Sequence, residues 1–303
     1  MALSQMRAIL ITGGTGFIGR SLTRSLVNRD YTVTVLTRNA SQVEGLDRVT
    51  FIQSLEQIQD SATIDVVINL AGEPLAAGRW NDHRKREFFE SRVSITRAIS
   101  RLIERLDRKP RVLLSGSAIG WYGPHEDEPL DESSQAVGCF SQDLCSAWES
   151  EAKVIEQPGL RICLLRIGIV LGREGGPLKE LCRSHRLGVN AILGDGRQYI
   201  SWIHIEDMVG LITYLIEHDD VEGVVNCTAP NPVAQRDFAR TIAEYLQTWI
   251  TIMIPGWLLR LMVGEMADEV VITGQRVLPA KALAAGYSYK YSDLKEALGD
   301  LLG

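Results

Sequence analysis

The sequence has 303 residues, 45% of them hydrophobic, and a net charge of −6, with an isoelectric point near 5.5. A chain of this size buries one large core, or a core and a smaller unit. The acidic balance excludes a nucleic-acid or anionic-membrane partner, since both require a basic surface.

In chain order, MALSQM is too short and polar for a signal peptide. RAILIT, Arg7 to Thr12, reads as a buried strand, and FIGRSLTRSLVNRD, Phe17 to Asp30, places Ile18, Leu22 and Leu26 at helical spacing. YTVTVLTR, RVTFIQ and IDVVINLAG follow as strands, the last a continuous apolar run of the kind buried on both faces. A charged helix is expected from about Asp82 to Asp107, then the strand RVLLSGSA, a helix near Gln142 to Glu156 and the strand LRICLLRIGIVLG. Such alternation predicts a parallel sheet covered by helices, because parallel strands need crossover connections. After Gly172, glycine-rich turns alternate with short helices. The expected organisation is therefore residues 1–172 as a nucleotide-binding unit and 173–303 as a smaller C-terminal α/β substrate domain, with a strand near 223–229 returning to the main sheet. No apolar run reaches the ~18 residues of a membrane span, so the expected compartment is the cytoplasm. The five cysteines, Cys139, Cys145, Cys163, Cys182 and Cys227, form neither a CxxC pair nor a cluster at metal-ligand spacing. They read as buried thiols, with no metal expected.

Gly13, Gly16 and Gly19 lie between a strand and a helix. In that context one glycine permits the tight turn, one lets the backbone approach a pyrophosphate, and one lets helix and strand pack closely. Thr15, Phe17 and Ile18, which open the helix with these glycines, join the predicted cofactor contacts because free N–H groups there favour a phosphate. At the end of the second strand an acidic residue would bind the ribose of NAD; Thr37 and Arg38 stand there instead, and arginine suits the 2′-phosphate of NADP(H). Leu70, Ala71 and Gly72 of NLAG, and Ser115 of LSGSA, fall at strand ends where a dinucleotide crosses the sheet.

ITGGTGFIG, NLAG and SGSAIGWYG in this order resemble the extended short-chain dehydrogenase/reductases, the group containing the nucleoside-diphosphate-sugar epimerases. RWNDHRKREFFESRV, LLRIGIVLGREGGPL, GDGRQYISWIHIEDM and GQRVLPAKALAAGYSY resemble an atypical branch, the epimerase-family or SulA-like proteins. The resemblance spans nearly the whole chain. It implies a Rossmann-type doubly wound parallel sheet, a small C-terminal domain and NADP binding.

Typical members carry Tyr-x-x-x-Lys on the helix after the fifth strand, tyrosine as general acid or base and lysine lowering its pKa. With Glu149 as anchor, Ser141 takes the tyrosine position and Cys145 the lysine position, which also makes Cys145 a predicted cofactor neighbour. The dyad is absent. General acid–base catalysis supplies ~10²–10⁴-fold, so an enzyme here needs a substitute. Ser117 matches the family's serine beside the substrate, and Tyr122 and Glu73 are the candidate replacements. Ile200 stands where sugar-nucleotide enzymes place a diphosphate-binding arginine, with Arg197 three residues earlier. Asp207 reads as a cap or anchor, Trp202 as a domain-contact aromatic, and Arg79 and Trp80 as residues closing over a substrate cleft. These residues support an NADP(H)-binding, epimerase-like oxidoreductase acting on a small molecule. The competing reading is a non-catalytic NADP(H)-sensing regulator with a protein partner.

Overall fold

The computed structural model describes residues 8–38, 48–75, 78–155 and 157–303. Seven parallel strands form the central sheet: β1 (Ala8–Thr12), β2 (Thr32–Leu36), β3 (Val49–Ile52), β4 (Val66–Asn69), β5 (Val112–Ala118), β6 (Arg161–Ile167) and β7 (Gly223–Cys227). Their spatial order is β7-β6-β5-β4-β1-β2-β3. The order reverses between β1 and β4, which opens a crevice at the carboxyl ends of these two strands.

Period-two alternation explains why the strands are apolar throughout. Ile9 and Ile11 point into one core with Leu22 and Leu26 of α1 (Phe17–Asn28) and Leu211, Ile212 and Leu215 of α4 (Ile205–Glu217). Leu10 points the other way, with Val67 and Leu113, into a core closed by Ile99, Leu102 and Ile103 of α2 (Asp82–Arg105). α3 (Phe140–Lys153) packs beside α2. A separate apolar cluster joins Trp202, Phe238 and Ile242 to Leu294, Leu298 and Leu301 of the C-terminal helix.

Two expectations are corrected. LRICLLRIGIVLG is not one strand: the chain leaves the sheet at Gly168, and Ile169–Leu171 pairs instead with Trp202–His204. Glycine at 168 permits this switch of partners, because a Cβ there would lie 2.5 Å from the Ser201 carbonyl oxygen. The helix expected from Gln142 begins two residues earlier, at Phe140, and Glu156 lies outside the described residues. No helix among the described residues is long and apolar enough to cross a membrane.

Candidate functional site

The glycine turn sits at the mouth of the crevice. Gly13 has φ 72°, and it lies so close to the backbone just past β4 that a Cβ would lie 2.6 Å from the Leu70 carbonyl group. The Gly16 N–H donates to the Gly13 carbonyl at 3.0 Å to close the turn. On Gly19 a Cβ would lie 2.1 Å from that same carbonyl oxygen, so only glycine lets α1 approach β1. Gly16 is the N-cap of α1, and no side chain among the described residues caps the helix. The first-turn N–H groups, Phe17 and Ile18 among them, therefore carry the dipole's positive end toward the crevice. These features fit a bound dinucleotide: a glycine cradle that side chains would fill, and an uncapped helix start for phosphate. The ring of Phe17 itself packs into the loop at Gly172, Gly175 and Gly176, and Ile18 packs against the main core. Thr15 is half-buried at the turn.

At the other predicted contacts, the Thr37 N–H donates to Ile52 beyond the end of β2, and Arg38 is exposed beside it. The Leu70 N–H donates to Thr12, Ala71 is half-buried and Gly72 is exposed. Ser115 is fully buried, its hydroxyl lacking a partner among the described residues. Beneath NLAG runs a hydrogen-bonded file: Thr12 Oγ1 donates to Asn69 Oδ1 at 2.6 Å, Asn69 Nδ2 to Thr96 Oγ1 at 2.9 Å, and Thr96 Oγ1 to the Arg92 carbonyl at 2.8 Å. This file ties α2 to the strand ends of β1 and β4.

The proton-transfer candidates are not brought together as equals. Ser117 is buried and its hydroxyl donates to Glu149 Oε1 at 2.8 Å. Glu149 is in turn held by buried Arg166, Nε to Oε1 at 2.8 Å and Nη2 to Oε2 at 3.1 Å. Tyr122 has no exposed surface, and its hydroxyl lies 2.8 Å from both the Asp131 carbonyl and Asn226 Oδ1. Burial pushes its phenol above the usual tyrosine range. These are the surroundings of a packing and hydrogen-bonding residue rather than of the candidate replacement acid. Glu73 remains half-buried directly after Gly72 and is paired with Arg84 at 3.5 Å.

Cys145 is 4% exposed, and burial pushes its thiol up to about 12, so it is a neutral small side chain at neutral pH. Ser141 has an unexpected partner. Glu269, 128 residues away, accepts the N–H groups of Phe140 and Ser141 at 2.9 and 2.7 Å and the Ser141 hydroxyl at 2.6 Å. The segment around Glu269 is fastened further by Lys85–Glu265 at 2.6 Å and by Met266, which packs with Trp80, Phe88 and Leu144. Arg79 lies beside Gly264. Sequence spacing gave no signal for Glu269, because its acceptor role exists only once two distant segments meet. Asp207 is an anchor, its carboxylate accepting the N–H groups of Lys290 and Tyr291, while His204 caps α4. Trp202 is buried and its indole N–H donates to Asn231.

A cavity of about 640 Å³ lies between the segments at 124–127, 195–199 and 272–274. It contains Arg197, which is ion-paired with Asp195 at 2.7 Å, and none of the predicted cofactor contacts. The crevice at the strand ends, with its glycine turn and polar file, is the better candidate because its chemistry is specific.

The NAD dependent epimerase/dehydratase family matches residues 9–228, and a domain of unknown function, DUF1731, matches 254–301. The epimerase family protein YfhF of Bacillus subtilis is 37% identical over 299 residues, covering 97% of each chain. The crystal structure of human epimerase family protein SDR39U1 (isoform 2) with NADPH superposes with a TM-score of 0.89 at 29% identity, covering 97% of this chain and 99% of that one. MoeE5 in complex with UDP-glucuronic acid and NAD has a TM-score of 0.77 at 19% identity, covering 96% of each chain, and shares the fold. On this match and this architecture, the chain belongs to the NAD dependent epimerase/dehydratase family.

Proposed function

We propose that the protein is an NADP(H)-dependent oxidoreductase with an epimerase-like fold, working without a Tyr-x-x-x-Lys dyad. The observation that carries this reading is the glycine cradle pressed against Leu70 and opening on the uncapped start of α1. The human relative solved with NADPH supports it. So does Arg38, exposed just past β2, where a guanidinium suits a 2′-phosphate. When bound, the cofactor would supply the hydride. The chain would hold it through Gly13, Gly16 and the first turn of α1, with Arg38 on the adenosine side and Leu70 to Gly72 along the crossing. Ser117, oriented by Glu149, is the candidate polarising hydroxyl, and Glu73 the candidate proton carrier with access to solvent. Ser141 and Cys145 leave no phenol or ammonium at the usual positions.

Fluorescence titration tests the reading. NADPH should bind on the order of tenfold more tightly than NADH, and Arg38→Ala should remove most of that difference. Glu73→Gln should lower turnover by ~10²-fold or more without changing NADPH affinity. Binding of NADH equal to or tighter than NADPH would remove the NADP(H) assignment.

A further inference from the structure

Two arginines are deeply buried near the crevice, and the fold treats them differently. Arg166, 2% exposed, is neutralised by the Glu149 carboxylate in a two-pronged pair. Arg92, 9% exposed, has only uncharged acceptors: the Phe88 carbonyl at 3.2 Å, the Ser91 hydroxyl at 3.4 Å and the Glu73 carbonyl at 3.0 Å. Among the described residues no carboxylate lies within ion-pair distance of it; the nearby Glu73 carboxylate is turned to Arg84. The Trp148 indole packs on the guanidinium, 5.2 Å from ring centroid to Cζ. A buried cation without a counter-charge is costly, and folds that retain one supply the anion by some route.

Its position indicates the route. A Cβ on Gly72 would lie 3.0 Å from Cζ, 3.2 Å from Nη2 and 3.3 Å from Nε of Arg92. Glycine therefore leaves the guanidinium lying against the backbone just beyond β4, at the carboxyl end of the sheet where ligands of such folds lie. Gly72 itself is exposed. Desolvation by burial holds the Arg92 guanidinium below the usual arginine range, while Cys145 and the Glu73 carboxylate, too far for an ion pair, act in the opposite direction.

We infer that Arg92 is an anion-binding residue of the crevice, taking a phosphate or carboxylate oxygen of the bound ligand past the bare backbone of Gly72. Placing that ligand at Gly72 rests on the proposed NADP(H) crevice. The anion belongs either to the cofactor or to a substrate, and the two sources separate by experiment.

The variants are Arg92→Met, Arg92→Lys and Gly72→Ala, the last keeping the charge while a methyl group displaces it. NADPH affinity is measured by fluorescence, and stabilisation by inorganic phosphate or malonate by thermal denaturation of NADPH-saturated protein. If Arg92 faces the cofactor, Arg92→Met weakens NADPH by about tenfold or more and Arg92→Lys by less than about threefold. If it faces a substrate anion, NADPH affinity holds, but stabilisation by phosphate or malonate seen in the wild type disappears in Arg92→Met and Gly72→Ala. Should Arg92→Met not fold, Gly72→Ala carries the test. Unchanged NADPH affinity and unchanged anion response in Gly72→Ala and in any folded Arg92→Met would overturn the inference. Failure of the wild type to bind NADPH would instead refute the proposed function; the phosphate and malonate arm, run on the cofactor-free protein, would still decide Arg92.

Discussion

Gly19 shows how far a single residue can be read without a structure. A side chain there would sit 2.1 Å from one backbone oxygen and 2.6 Å from the Gly14 Cα, and backbone atoms have no rotamer into which to retreat. Gly19→Ala should therefore cost about 1–3 kcal/mol as overpacking and weaken NADPH binding, because the turn and helix start shift together. Calorimetry on the free protein and a cofactor titration check the two effects; native stability with native affinity would contradict the steric argument. Glycine requirements like this are legible because the partners are sequence neighbours. The buried thiol of Cys145 is expected from composition as well, whereas the hydrogen-bond partners of Tyr122 are not legible, because Asn226 reaches it from a distant segment. The four cysteines other than Cys139 are buried, and the Cys145 thiol, pushed up to about 12, is almost wholly protonated at pH 8. Alkylation of native protein at pH 8 should modify Cys139 first and reach Cys145 only on unfolding, as mass spectrometry of the peptides would reveal.

At the scale of elements, α3 is where sequence and structure part. Its amphipathic pattern is readable, as is the absence of any tyrosine between Phe140 and Lys153. What the pattern lacks is the start of the helix, for Cys139 occupies the N-cap without a side-chain hydrogen bond. The cap comes from Glu269, whose carboxylate satisfies two of the free N–H groups and compensates the helix dipole. Such a cap is invisible to local propensity. Losing it should cost about 1–2 kcal/mol, a fall in Tm of roughly 1.5 °C per kcal/mol for 303 residues. Glu269→Ala should show the full loss and Glu269→Gln, which keeps one acceptor oxygen, part of it. Limited proteolysis should also find the 264–274 segment more accessible in Glu269→Ala. Equal melting of all three proteins would mean that α3 does not depend on this contact.

At the scale of the molecule, the change of texture after Gly172 is a real feature of the sequence, yet the layers of the fold cross it. β7 comes from the C-terminal half and pairs with β6 in parallel register, Val225 opposite Leu165. α4 comes from there too, and its Leu211, Ile212 and Leu215 cover Leu22 and Leu26 of α1, both fully buried. A fragment ending at residue 172 would expose that apolar face and leave β6 as an unprotected edge strand, a template for aggregation. Periodicity identifies β7 as a strand but does not by itself show which core depends on it, since the dependence is a property of packing. The fragment 1–172 should accordingly give no cooperative unfolding transition and should bind a hydrophobic dye, whereas 1–229, which restores α4 and β7, should regain a cooperative transition below the Tm of the full chain. Circular dichroism and dye fluorescence across the three lengths decide it. A sharp, dye-silent transition from 1–172 alone would establish that unit as self-sufficient and leave α4 and β7 as accessories to it.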